Sequence, residues 1–149
     1  MTCDDRWVRR RPVVISPITT LLQRDDAEIT LISVELWPSE TIVRLAALVP
    51  DSVAEESEHE AALECWAATD RSAPVPLMPG ERRLQDIVVS LSDDVATTYR
   101  LKTFSLGGSG RMFRGDWHFT TAVPEAAKRL MVEALNTQNG SAGSTELAL

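Results

Sequence analysis

Asp116 and His118 stand two positions apart in the stretch FRGDWHFTT, residues 113–121. An aspartate can orient a histidine as a general base, and on a strand the two would share one face, about 7 Å apart at ~3.4 Å of rise per residue. Hydrolysis by such a pair also needs a nucleophile and an oxyanion site. The chain contains no Gly-x-Ser-x-Gly motif, and its serines fall mainly in turn-like segments. Arg114-Gly115-Asp116 is also the tripeptide that integrins read, a use that demands a mobile extracellular loop. A single strand accounts for the same composition more simply. Phe113, Gly115, Trp117, Phe119 and Thr121 would point inward, and Met112, Arg114, Asp116, His118 and Thr120 outward. Gly115 leaves a gap on the inward face, which predicts a bulge or a close neighbour there.

The other chemistry-bearing residues are scattered. His59, His118, Cys3 and Cys65 show none of the usual metal-ligand spacings. His59-Glu60 begins like a zincin motif, but Leu63 stands where the second histidine is needed. Gly107-Gly108-Ser109-Gly110 lacks a nucleotide fingerprint and precedes a strand pattern, so it reads as a hairpin turn. Trp7 and Trp37, if exposed, could stack on a sugar or anchor a partner, and otherwise cover a sheet edge. Arg6, Arg9, Arg10 and Arg11 form a basic cluster, whereas Asp51, Glu55, Glu56, Glu58, Glu60 and Glu64 form an acidic stretch with no base between them. Opposite clusters of this kind could meet within one chain or across two.

The elements that must position these residues are mostly strands. Residues 28–49 hold two runs of period two. In the first, Ile32, Val34 and Leu36 alternate with Ser33, Glu35 and Trp37. In the second, Val43, Leu45, Ala47 and Val49 share a face with Arg44 on the other. The Pro38-Ser39 step between them predicts a hairpin. Upstream, VVISPITTLLQ predicts one strand starting near Ile18 or lying on an edge, because Pro17 interrupts it, and Asp25-Asp26 supplies the next turn. Residues 53–69 are rich in Ala, Glu and Leu and predict a short helix capped by Asp51 or Ser52. RSAPVPLMPGE, with three prolines and a glycine, reads as an extended connector. Ile87, Val89 and Leu91 mark a further strand, Ser92-Asp93-Asp94 a turn, and Val95, Thr97, Tyr99, Leu101 and Thr103 one face of another strand. PEAAKRLMVEAL fits either a helix started by Pro124 or a strand with Leu130 and Val132 inward.

The chain has 149 residues, 44% hydrophobic and 25% charged, with a formal net charge of −7. That size suits one domain able to bury a core without disulfides or metals. Its acidity argues against general binding to nucleic acid or to anionic membranes. Two distant cysteines, no secretory pattern at MTCDDRWVRRRPVVISP and no long apolar run predict a cytoplasmic protein. The predicted layout is a single β-sandwich over 1–149 with its core at about 13–135, a flexible arm at 1–11 and a disordered tail at 137–149.

LISVELWPSETIVRLAAL, QDIVVSLSDDVATTYRL, GGSGRMFRGDWHF and AVPEAAKRL, taken in order, resemble small uncharacterised proteins of actinobacteria with an immunoglobulin-like β-sandwich. The resemblance spans most of residues 18–135. It implies that PEAAKRLMVEAL is a closing strand, and it implies no activity and no functional residue.

The expected fold is therefore all-β: an antiparallel immunoglobulin-like sandwich of seven or eight strands with one inserted helix at about 53–69. The expected function is non-enzymatic interaction with another protein or with a second copy, with no cofactor, metal, nucleic acid or membrane. The candidate surface comprises Arg6, Arg9, Arg10, Arg11, Trp37, Arg114, Asp116 and His118. A carbohydrate or small-ligand platform at Trp37 is the alternative, and a hydrolase using Asp116 and His118 the third reading.

Overall fold

The structure is a computed structural model that describes residues 12–24, 27–48, 53–109 and 112–149. Its elements run β1 (Val13–Ile15), β2 (Thr19–Arg24), β3 (Ala27–Leu36), β4 (Thr41–Leu48), α1 (Val53–Thr69), α2 (Pro79–Gln85), β5 (Ile87–Asp93), β6 (Leu101–Ser109), β7 (Met112–Phe119), β8 (Arg129–Asn136) and β9 (Ala142–Ala148). The larger sheet has the order β1-β3-β4-β7-β6, with β2 also paired to β3, and the smaller has the order β5-β8-β9. All pairings are antiparallel. The described residues thus form an all-β, two-sheet architecture with two helices. The described residues hold nine strands where seven or eight were expected, and two helices where one was. The basic cluster at 6–11, the Asp25-Asp26 turn, Val49 and the proposed caps Asp51 and Ser52 lie outside the described residues.

One apolar cluster draws on both sheets. Ile29, Leu31, Val34, Val43, Leu45, Phe113, Trp117 and Phe119 come from the larger sheet; Ile87, Val89, Leu91, Leu130, Val132, Ala134 and Leu147 come from the smaller; and Leu84 comes from α2. The period-two patterns of β5, β7 and β8 deliver these side chains to one face, with alternating buried and more exposed positions along each strand. PEAAKRLMVEAL resolves as a turn followed by β8, with Leu130 and Val132 buried.

β3 departs from strict alternation. Ile29 and Leu31 enter the core, then Val34 does, although three residues separate Leu31 from Val34. A shift of the β3–β4 register between Leu31 and Ser33 makes this possible, and Ile32, expected inward with Val34, is only half-buried there. At the same level the neighbouring edge breaks. β1 pairs with residues 34–36 and β2 with residues 27–31 of β3. Pro17 cannot donate to the ladder, and Ile18 has φ 45°, a left-handed conformation uncommon for a β-branched residue. The predicted single strand is therefore two short ones laid end to end along β3.

Three further expectations are corrected. The connector RSAPVPLMPGE ends inside α2: Pro79 occupies the first turn, the Glu81 carboxylate accepts from the Met78 N–H at 3.4 Å, and Arg82 and Arg83 stand in the last turn. Residues 137–149, expected to be a disordered tail, include β9. There the Asn136 and Asn139 side chains accept from the Gln138 and Ser141 N–H groups, and Gly140 takes φ 73° to turn the chain back along β8. The strand expected from Val95 begins only at Leu101.

Asp93 organises the segment that crosses from the smaller sheet to the larger. Its carboxylate accepts from the N–H groups of Val95 and Thr97, each at 3.0 Å, and from the Tyr99 hydroxyl at 2.7 Å. Partial desolvation pushes this carboxyl up, but bonds from Thr97, Tyr99 and Val95 outweigh it and bring it down to about 2. A depressed folded value means that the stabilisation is complete above the ordinary aspartate value of about 4 and is lost as pH falls through about 2. Wild-type protein should accordingly lose stability between those pH values in urea titrations. Asp93→Asn should flatten that part of the profile and lower stability at neutral pH.

The two sheets approach closely where β9 meets β2. A Cβ on Gly143 would overlap the Leu21 backbone carbonyl. Gly143→Ala should therefore cost about 1–3 kcal/mol in urea denaturation. Gly107→Ala, where a Cβ would meet nothing within 4 Å, should change stability by about 0.5 kcal/mol or less.

Candidate interaction face

The inward side of β7 is filled as predicted, with Phe113, Trp117 and Phe119 buried. Gly115 meets the expected close neighbour: a Cβ there would lie 2.6 Å from the Trp117 ring and 2.8 Å from Leu106. The indole therefore occupies the space that the glycine leaves. Arg114, Asp116 and His118 take the opposite side of the sheet.

Register assigns their neighbours. Across β3, β4, β7 and β6, one row of the outer side reads Glu35, Ile42, His118, Thr103 and the next Ser33, Arg44, Asp116, Ser105. Between β4, β7 and β6 a third row reads Ala46, Arg114, Gly107. Arg44 is the hub of these rows. Its Nε donates to Asp116 Oδ1 at 2.7 Å, its Nη2 to Asp116 Oδ2 at 3.2 Å, and its Nη1 to Glu35 Oε1 at 3.3 Å. The other Glu35 oxygen accepts from the Trp37 indole N–H at 3.0 Å. The Asp116 hydrogen bond raises the Arg44 guanidinium above its ordinary value against an opposing desolvation, with Glu35 adding to the rise.

Asp116 and His118 thus do not form a hydrogen-bonded couple. Asp116 is committed to Arg44, and His118 Nδ1 lies 3.6 Å from Glu40 Oε2 at the β3–β4 turn. That turn is closed by the Trp37 N–H donating to the Glu40 carbonyl at 2.9 Å, which leaves Trp37 half-buried beside Glu35. The tripeptide 114–116 lies within β7. Of the predicted surface, Asp116 pairs with Arg44, Trp37 is joined to it through Glu35, and His118 and Arg114 stand one row away on either side, Arg114 exposed beside a shallow cleft of about 380 Å³ lined by Gly107, Gly108 and Met112. Among the described residues no group of three or more His, Cys, Asp or Glu is placed to hold a metal ion, and no helix is long and apolar enough to cross a membrane.

Sequence reasoning missed Arg44, Glu35 and Glu40 as part of this face. A signal existed for Arg44, the one charge in the apolar run TIVRLAAL. A charge in a strand flanked on both sides calls for a carboxylate on a neighbouring strand. Which strand supplies it depends on a pairing 72 positions away in sequence.

The margin of the larger sheet at β6 has a different character. Among the described residues β6 pairs only with β7. Phe104 faces inward and stacks on Trp117, with ring centroids 6.2 Å apart and planes 15° from parallel, yet Phe104 is 50% exposed and Leu101 47%. The acidic helix α1 is tied to its surroundings through the side chains of Glu55 and Trp66. Glu55 pairs with the buried Arg83 of α2 at 2.8 Å, and the Trp66 indole donates to the Ala73 carbonyl at 2.8 Å, while Glu56, Glu58, Glu60, Glu64 and Cys65 are exposed.

No family model and no curated protein matches the chain. It is similar to the crystal structure of the conserved domain protein from Bacillus anthracis, with a TM-score of 0.43 and 14% identity, over 93% of this chain and 48% of that one. The chain thus spans about half the length of that protein.

The network around Arg44 is open to a direct test. Arg44→Gln and Asp116→Asn should each lower stability by about 1 kcal/mol. A double-mutant cycle in urea should return a favourable coupling of about 0.5–1 kcal/mol, since the paired groups keep only partial contact with water.

Proposed function

We propose that the protein is a non-enzymatic interaction module that binds another polypeptide along the β6 margin of its larger sheet. The observation that carries this reading is the coincidence of two features: among the described residues β6 pairs on one side only, and Leu101 and Phe104 on its inward face are half-exposed. An edge strand offers unpaired N–H and C=O groups, and exposed large apolar side chains gain free energy when covered. An added strand satisfies both at once. The Arg44 network supports the same reading. Its charges are already matched within the sheet, so it stiffens the strands behind β6. Cytoplasmic residence, the absence of nucleic-acid and membrane partners, and kinship with the immunoglobulin-like proteins of actinobacteria belong to this proposal. Their support is the acidic composition and the motifs quoted from the sequence.

The test is cross-linked capture from a native lysate with wild-type protein and with Ser105→Lys, which places a charge at the centre of the exposed strand. Captured partners should be lost with Ser105→Lys and kept with Glu146→Lys on the smaller sheet. Equal capture by wild type and Ser105→Lys would remove β6 as the binding margin.

A further inference from the structure

Resting on that reading, we infer that the strand added to β6 is β6 of a second copy, paired antiparallel about a two-fold axis at Ser105. An isologous contact requires a surface that complements itself. In antiparallel strands, residues directly opposite share a face, so a two-fold axis must pass at a residue position and not between two residues. With the axis at Ser105, Phe104 lies against Leu106 of the second copy, and Leu106 against its Phe104. This extends the apolar inward face that Phe104 and the half-buried Leu106 already form. Thr103 meets Gly107, where nothing lies within 4 Å of a Cβ position, and Lys102 meets Gly108.

The two axes on the N-terminal side of Ser105 are poorer. With the axis one residue earlier, at Phe104, Lys102 would stand against Leu106. With the axis at Thr103, it would stand against Phe104. Only the Ser105 register of these three sets the lysine opposite a residue without a side chain.

Charge favours a second copy at this margin. The chain carries a net charge of −7, so two copies repel over most approaches. Residues Leu101–Ser109 contain no carboxylate, Lys102 is their one charge, and Arg100 and Arg114 flank them. Two copies can therefore meet at β6 without opposing acids. In the Ser105 register the two Lys102 positions are six residues apart along the strands, about 20 Å at ~3.4 Å per residue. That separation exceeds a Debye length at physiological salt, about 8 Å.

Sedimentation velocity across a wide concentration range tests the inference, using wild type, Ser105→Lys and Ser105→Glu. Wild type should pass from monomer to dimer as concentration rises. Each charged variant alone should raise the midpoint about tenfold or more, because like charges would face each other across the axis. An equimolar mixture of the two variants should restore the dimer, since the introduced lysine of one copy would then face the introduced glutamate of the other. Hydrogen exchange of the wild-type β6 amides, which needs no variant, should slow as the dimer forms, with β1 amides unchanged. A wild-type monomer at every concentration would overturn the inference, as would a dimer indifferent to both charges. Lysate capture that Ser105→Lys abolishes, seen together with a monomeric wild type, would leave the interaction reading standing and remove the self-pairing version. Loss of both signals would remove both.

Discussion

The pairing of β4 with β7 is the constraint on which the rest of the larger sheet depends. It runs unbroken over eight residue pairs from Thr41↔Phe119 to Leu48↔Met112. On the inward side it sets Val43 beside Trp117 and Leu45 beside Gly115, and the indole folds back over the glycine. On the outward side it brings Arg44 to Asp116. A shift of one residue would exchange the two faces, placing Arg44 and Asp116 in the core and the aromatics in water. Each such misplaced charge would cost several kcal/mol, so this register is strongly specified.

Much of the remaining structure is attached to that pair. β3 reaches it only by accommodating a bulge near Ile32, at the level where Pro17 and Ile18 divide β1 from β2. The irregularities answer one another, since a donor is missing on one side of β3 and the ladder slips on the other. The smaller sheet is tied on at separate points. Asp93 gathers the crossing segment around its carboxylate, and Gly143 lets β9 approach the β2 backbone. β6 lies away from these ties, with Leu101 and Phe104 half-exposed, and the polar hub at Arg44 and the apolar margin at Phe104 occupy opposite faces of one sheet.

The faces of β5, β7 and β8 were legible in the sequence because their alternation is strict, and α1 because its composition is rich in Ala, Glu and Leu. The outward placement of Trp37, Arg114, Asp116 and His118 followed from the same alternation. α2 was obscured by the prolines around it, although Pro79 and Glu81 are themselves helix-start signals. β9 was obscured by its polarity: Leu147 is its one buried side chain, and the Asn139-Gly140 turn signal sat within a stretch that read as a tail.

The sequence by itself determined which side chains of β5, β7 and β8 must be dry, because a period of two and a hydrophobic face are local properties that need no partner to be named. It also determined the acidity of the chain and the β character of most segments. Tertiary structure alone decided which strands are neighbours, and through that the union of Arg44 with Asp116 and Glu35, the separation of Asp116 from His118, the recruitment of a polar segment as β9 and the exposed position of β6. These depend on contacts between residues far apart in the chain. Their free energy comes from desolvated pairs and ladder hydrogen bonds that exist only once the partner strand is in place.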